Sequence, residues 1–462
     1  MNFLSFALLA VIVIAMLVRG LLRPGATLEY PFLAAATMAG WFMPQALLLM
    51  NDPYLPEGGY DATMVMAALS MIAILRGDRR ASRSSPVEIE RFDEQRLLIG
   101  AAALSAIGAV AFGLVLRTPV EVNEEGLGTG IVTIYFFFFT AQFFGLALSL
   151  IVFLRRYSPL AAAVVAFDYV SMSGFILFGG RRGPLVELAL ITFCALWFQR
   201  RIAPPRALFI VGVVASSLVV NAAGEYRSLV SSINANRSEQ EGGRLPTFDE
   251  FMKIDFLGSF ASADPRRTDE LRNAIFDIAA TLDTLGFRFG VDYWNYMVFR
   301  YVPAQLVGRD LKEMLTVRLP DLAAEVYAHR PWIGTTHTGF SDSFLSFGPA
   351  GAVIFGLIAA FLARNWRDAA KGSLKAQYFY CILITTGLNS ITHGTSWFVV
   401  FVPQALGFSW VVFRWAEIKR DPRARLVESH GFGKIADAPS FRRGSGSPQA
   451  VGANNYPSAR KP

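Results

Sequence analysis

Cysteine and histidine are scarce, with two and four residues in a chain of 462. Cys194 and Cys381 both fall inside apolar runs, which supports neither a disulfide framework nor a cysteine zinc site. The histidines are dispersed, and no His-x-x-x-His or Asp-x-Asp pattern accompanies them, so no metal site is expected. A Walker A sequence, a Gly-x-Gly-x-x-Gly turn and an internal repeat are also missing, and no cofactor is expected. Nor does the first apolar run, 2–18, follow a basic stretch or precede a small-x-small cleavage site, so it reads as a retained helix rather than a signal peptide.

What the chain has in abundance is apolar surface. Hydrophobic residues make up 53% of it, 39 of them Phe, and the mean hydropathy is +0.40, which places it among polytopic membrane proteins. A crossing needs about 20 apolar residues. Eleven runs qualify or nearly do: 2–18, 29–50, 61–75, 97–116, 131–154, 158–178, 184–198, 207–223, 341–363, 376–394 and 397–413. The expected fold is therefore an all-α polytopic membrane protein of about 11 transmembrane helices. Gly100, Gly108 and Gly113, with interleaved Ala, predict close helix packing in the fourth.

The net charge of +7 needs no nucleic acid to explain it, because the arginines cluster in short loops where they orient helices. Arg19 and Arg23, Arg76 to Arg96, Arg155 and Arg156, Arg200 to Arg206, and Arg364 to Lys375 all fall on one side if the N-terminus is outside and the C-terminus cytoplasmic. Asp52, Glu57, Glu121, Glu124 and Glu125 fall on the other. Four parts follow: helices one to eight (1–224), a large external loop (225–338), helices nine to eleven (339–413), and a basic tail (414–462) whose composition is that of a disordered segment. Outside a bacterial inner membrane there is no ATP or nucleotide sugar, so chemistry in that loop must use substrates that arrive activated. Within it, Leu271, Ile275, Ile278, Leu282 and Leu285 predict an amphipathic helix lying on the membrane or against the bundle, and a second helix is expected over 311–328, interrupted by Pro320.

Several residues carry candidate chemistry. Arg181 and Arg182, in Gly179-Gly180-Arg181-Arg182-Gly183-Pro184, sit on the side where the orientation rule disfavours them. Guanidinium forks there suit a lipid-linked phosphate or diphosphate, and equally headgroup snorkelling or a salt bridge to Glu187. Tyr226 and Arg227 follow the eighth run, and Arg300 lies in Phe299-Arg300-Tyr301-Val302-Pro303; each is a phosphate ligand or an interfacial anchor. His337 stands where the chain returns to the membrane, in Gly334-Thr335-Thr336-His337-Thr338-Gly339, with Asp342 close behind. Histidine titrates near neutrality and suits a general base. His329 and His393 are weaker alternatives, and His430 lies in the tail. Asp168, mid-run, is an interhelical partner or a cavity-lining acid.

These parts, in this order, resemble the oligosaccharide repeat-unit polymerases, the O-antigen or exopolysaccharide polymerase (Wzy-like) family, over about 165–365. Gly-Gly-Arg-Arg-Gly-Pro at 179–184 is similar to that family's Gly-Ser-Arg-Gly turn, and Ser346-Phe347-Gly348-Pro349-Ala350-Gly351 looks like its Asn-Phe-Gly-x-x-Gly helix start. Arg181 replaces the usual small residue, and Ser346 stands where Asn is common. The resemblance implies a GT-C-like membrane glycosyltransferase. It would move a growing glycan from undecaprenyl diphosphate onto a lipid-linked repeat unit, as part of exopolysaccharide or lipopolysaccharide biosynthesis. Arg182 and His337 would be catalytic, and Arg181, Tyr226, Arg227, Arg300 and Asp342 would bind substrate. Partners would be the undecaprenyl-diphosphate-linked oligosaccharide, membrane lipid, a chain-length regulator and a flippase. Rival readings are a lipid-linked glycan ligase and a glycolipid flippase or transporter, although the chain lacks the paired broken helices expected of the latter.

Overall fold

A computed structural model describes residues 2–23, 25–81, 90–118, 121–122, 128–179, 182–207, 211, 229, 269–331 and 335–418. The expected eighth crossing, most of the first half of the external loop and almost all of the tail fall outside the described residues. The chain divides into Met1–Glu417 and Ile418–Pro462, and the helices belong to the first unit.

The apolar runs become helices in order: α1 (Asn2–Leu22), α2 (Tyr30–Leu49), α3 (Gly59–Ala81), α4 (Glu94–Arg117), α5 (Val132–Arg155), α6 (Pro159–Gly179) and α7 (Arg182–Arg200). The external segment supplies α8 (Asp269–Thr284), α9 (Val291–Tyr301), α10 (Ala304–Val307), α11 (Arg309–Leu315) and α12 (Leu322–Tyr327). The chain returns through α13 (Gly339–Phe347) and α14 (Ala352–Ala370) and ends with α15 (Leu374–Thr392) and α16 (Thr395–Ala416). Among the described residues seven helices are long and apolar enough to cross a membrane: α1 to α5, the joined α13 and α14, and α16. The protein is an all-α polytopic membrane protein; a two-residue strand pair, Glu121–Val122 with Gly128–Thr129, is a minor loop feature.

Polar contacts gather at the two ends of the bundle. At one end Arg19 of α1 meets Asp78 of α3 at 3.3 Å, Arg155 of α5 meets Glu94 of α4 at 3.3 Å, and Arg201 after α7 donates to Ala370 O at 2.9 Å. The amide of Asp93 donates to Ala416 O at 2.9 Å, joining the start of α4 to the end of α16. The C-terminal ends of the odd-numbered crossings thus lie together with their arginines, the pattern that the charge distribution predicts. At the opposite end Arg272 of α8 pairs with Asp52, beyond α2.

Between the ends the helices touch closely. A Cβ on Gly77 of α3 would lie 2.0 Å from Gly356 O of α14, so both helices need small residues there. Gly100 and Gly108 answer the packing expectation, since an added Cβ would meet Val412 at 2.4 Å and Gln142 N at 2.4 Å; Gly113 has open space. Asp168 of α6 is buried, taking hydrogen bonds from Ser105 of α4 at 2.7 Å and Gln142 of α5 at 3.4 Å, which makes it an interhelical partner.

The predicted amphipathic helix is α8, and it packs against the bundle: Leu271, Ile275 and Ile278 are buried, with Ile275 over Gly59 at the start of α3. The helix expected over 311–328 is two short ones, α11 and α12. The extended stretch around Pro320 separates them, because proline disfavours a helical conformation in the residue before it.

Candidate functional site

The site is built where α8 meets the turn that leads the chain back into the bundle. On α8, Asn273, Asp277 and Thr281 recur every four residues, so they form one polar face, and all three are buried. Thr338 caps α13, its hydroxyl accepting from the Ser341 amide at 3.3 Å. Gly339 lets the turn lie against the end of α15: an added Cβ would sit 1.7 Å from Ser390 O. These two residues fix the position of His337.

His337 Nδ1 meets Asp277 Oδ2 at 2.6 Å, and Ser341 Oγ donates to the same oxygen at 2.8 Å. The carboxylate is 8% exposed and the imidazole 48%. When Nδ1 carries the proton shared with Asp277, Nε2 is left as an acceptor, and among the described residues it has no hydrogen-bond partner. The nearby Asp277 charge raises the His337 pKa above its ordinary value. Burial acts to raise Asp277, but the charge and hydrogen bond of His337, with Ser341 and Arg288 adding to them, hold it below the usual carboxylate range. A buried carboxylate orienting a half-exposed imidazole can take a proton from a hydroxyl and stabilise the imidazolium that forms.

Two further groups surround this pair. Arg288 Nη1 lies 3.2 Å from Asp292 Oδ1, and Nη2 donates to Pro320 O at 3.1 Å; the Arg288 amide donates to Leu345 O at 2.8 Å, tying the segment to α13. His329 Nε2 meets Asn273 Oδ1 at 2.9 Å, and its ring stacks on Phe276 at 4.1 Å. Burial lowers the His329 pKa, which favours its neutral form.

The other sequence candidates are placed differently. Asp342 is half-buried and accepts from Thr395 Oγ1 at 2.7 Å and from the Ser396 amide at 3.0 Å, so it caps the first turn of α16 from a neighbouring helix. Arg300 donates to Gln404 Oε1 at 2.7 Å and lies 5.3 Å over the Phe137 ring; it shares none of these partners with His337. His393 meets Thr392 Oγ1 at 2.7 Å and packs edge-on to Trp397. Arg182 opens α7, but its side chain, with Arg181, Tyr226 and Arg227, lies outside the described residues. Among the described residues no three His, Cys, Asp or Glu side chains gather as metal donors.

Sequence reasoning found His337 but not Asp277 or Arg288. The available signal for Asp277 was its place four residues from Asn273 on the polar face of a helix whose other face is apolar. Comparisons with protein-family models, curated proteins and solved structures give no match.

Proposed function

We propose that the protein is a GT-C-like polysaccharide polymerase of a bacterial inner membrane, with about eleven crossings, its N-terminus outside and its C-terminus cytoplasmic. The observation that supports this reading most directly is the His337–Asp277 pair at the point where the chain returns to the membrane. An acceptor-sugar hydroxyl would attack the anomeric carbon of the donor glycan, forming the new glycosidic C–O bond. Its proton passes to His337 Nε2, the bond from the anomeric carbon to the diphosphate oxygen breaks, and undecaprenyl diphosphate leaves with the electron pair. Asp277 holds the ring and offsets the charge on the imidazolium. Arg182, with Arg181, Tyr226 and Arg227, would hold the donor diphosphate, an electrostatic contribution of about 3–4 kcal/mol for a well-placed donor. The substrate is the undecaprenyl-diphosphate-linked oligosaccharide, delivered by a flippase, and a chain-length regulator would be a further partner.

The test is a gel of lipid-linked and surface glycan from a deletion strain complemented with wild type, His337→Ala or Arg182→Ala. Single repeat units in the deletion, restored to a ladder by wild type and by neither variant, support the reading. Full-length chains stranded on the lipid carrier replace it with a ligase, and loss of all external repeat units replaces it with a transporter. Wild-type ladders in His337→Ala remove the histidine from the chemistry.

A further inference from the structure

His329 takes no part in the proton transfer to His337, yet its ring is fixed on several sides beside that residue. The backbone reaches it through Ala328, which closes α12 in the left-handed region at φ 54°, a conformation unfavourable for a residue that carries a Cβ. Ala328 turns the chain back so that the His329 amide donates to Ala323 O at 3.2 Å. The imidazole then lies on Phe276 of α8, 8° from parallel with centroids 4.1 Å apart, and Tyr327 packs edge-on to the same phenyl ring at 5.6 Å.

Asn273 ties this imidazole to the turn that carries His337. Its Nδ2 donates to Thr335 Oγ1 at 3.1 Å, which leaves Oδ1 facing His329 Nε2 at 2.9 Å. An amide oxygen only accepts, so Nε2 carries the ring proton and Nδ1 is an acceptor. Burial favours this neutral form. Among the described residues Nδ1 has no hydrogen-bond partner. His337 presents a second open acceptor, Nε2, when its own Nδ1 proton lies toward Asp277. The two anchors, Asn273 and Asp277, stand one turn apart on α8, about 6 Å along its axis. The rings are close enough for the charge of His337 to act on His329.

Two nitrogen lone pairs held from one face of α8 select a ligand by what it can donate. An ionised phosphate or carboxylate offers only acceptors and is repelled, and an acyl chain leaves both nitrogens unsatisfied. A sugar ring carries several O–H donors. We infer that His329 is a specificity-determining residue whose Nδ1 accepts from one hydroxyl of the acceptor sugar while His337 Nε2 takes the proton of the hydroxyl that attacks. The two histidines thus read a pair of free hydroxyls on one ring, and a sugar without the second is held less tightly. This role rests on the glycosyltransferase reading and adds to it the chemistry of the acceptor.

The test is modification of the two histidines by diethyl pyrocarbonate in the full chain in detergent micelles, followed residue by residue by mass spectrometry. The probes are the lipid-linked repeat unit extracted from the deletion strain, and undecaprenyl diphosphate without sugar. The repeat unit should slow modification of both His329 and His337 several-fold, and the bare carrier should slow neither. Slowing at His337 alone overturns the role of His329 and leaves the glycosyltransferase reading standing. Equal slowing by the bare carrier means that the histidines meet lipid diphosphate rather than sugar, and also overturns it. No slowing at either position removes the glycan from the site and the glycosyltransferase reading with it, as does a deletion strain that accumulates no repeat unit. His329→Phe keeps an aromatic ring on Phe276; with the extracted repeat unit as substrate, KM should rise about tenfold, the loss of one hydrogen bond. A fall in kcat with KM unchanged overturns the assignment. The footprint uses the wild-type chain, so a His329→Phe protein that fails to fold leaves it decisive.

Discussion

Replacing Asp277 with asparagine keeps the shape of the side chain beneath His337 and removes its charge. The lost contact is a charge-assisted hydrogen bond of 2.6 Å, and such bonds contribute about 1.5–3 kcal/mol. The imidazole is half exposed and solvent screens it, so the lower end, about 1.5 kcal/mol, is the expected loss. The pH dependence identifies its origin. Asp277 is held below its usual value of 3.8, so its contribution is present above that pH and fades as acid takes it through the lowered pKa. His337 is raised above 6.5, so its contribution is present below that pH and fades as base takes it through the raised pKa. The wild type should therefore exceed Asp277→Asn most between pH 3.8 and 6.5, and the gap should narrow in more alkaline buffer. Both native thiols are buried, so thermal unfolding can be followed with a thiol-reactive dye in detergent micelles. An equal loss of Tm at about pH 5 and about pH 9 would refute the ionic pair, because a neutral hydrogen bond has no such window.

Three other perturbations test the supports of the site. Gly339→Ala drives a methyl into Ser390 O, 1.7 Å away; overpacking of this kind costs about 1–3 kcal/mol, and the upper end is expected, read by the same dye, with His337 reactivity toward diethyl pyrocarbonate altered as the turn moves. Asp342→Ala strips the Thr395 hydroxyl and Ser396 amide of their acceptor; a loss of about 1–2 kcal/mol is expected, with most of it recovered in Asp342→Asn, and an unchanged Tm in the alanine variant would remove the capping role. Asp168→Ala breaks the contacts to Ser105 and Gln142 and should cost only about 0.6–1.7 kcal/mol, the range of interhelical hydrogen bonds in membranes; a larger loss of Tm would show that the acid does more than join three helices.

The helical frame was legible because a bilayer demands long apolar runs, and the runs at 131–154 and 397–413 coincide with helices almost end to end. Arginine placement was legible too, since Arg19, Arg155 and Arg201 gather at one end as the charge pattern predicts. His337 stood out by residue type and position. Its partner did not, because Asp277 is sixty residues away and ordinary in isolation. The packing of 291–301 along α16 was not legible either. Arg300 and Tyr301 meet Gln404 and Val400, which lie about a hundred residues further along the chain.

Asp342 has a consequence for biosynthesis. Its carboxylate belongs to the helix that carries the chain back into the bundle, yet the groups that satisfy it, Thr395 and Ser396, are made more than fifty residues later. During translation this helix therefore carries an unmatched acid until α16 is threaded beside it. Ribosomes that stall between these points leave a chain whose His337 turn is complete in sequence but whose supporting helix lacks its acceptor's partners. A membrane protease that reads an uncompensated acid at the end of a crossing would distinguish such a chain from a finished one.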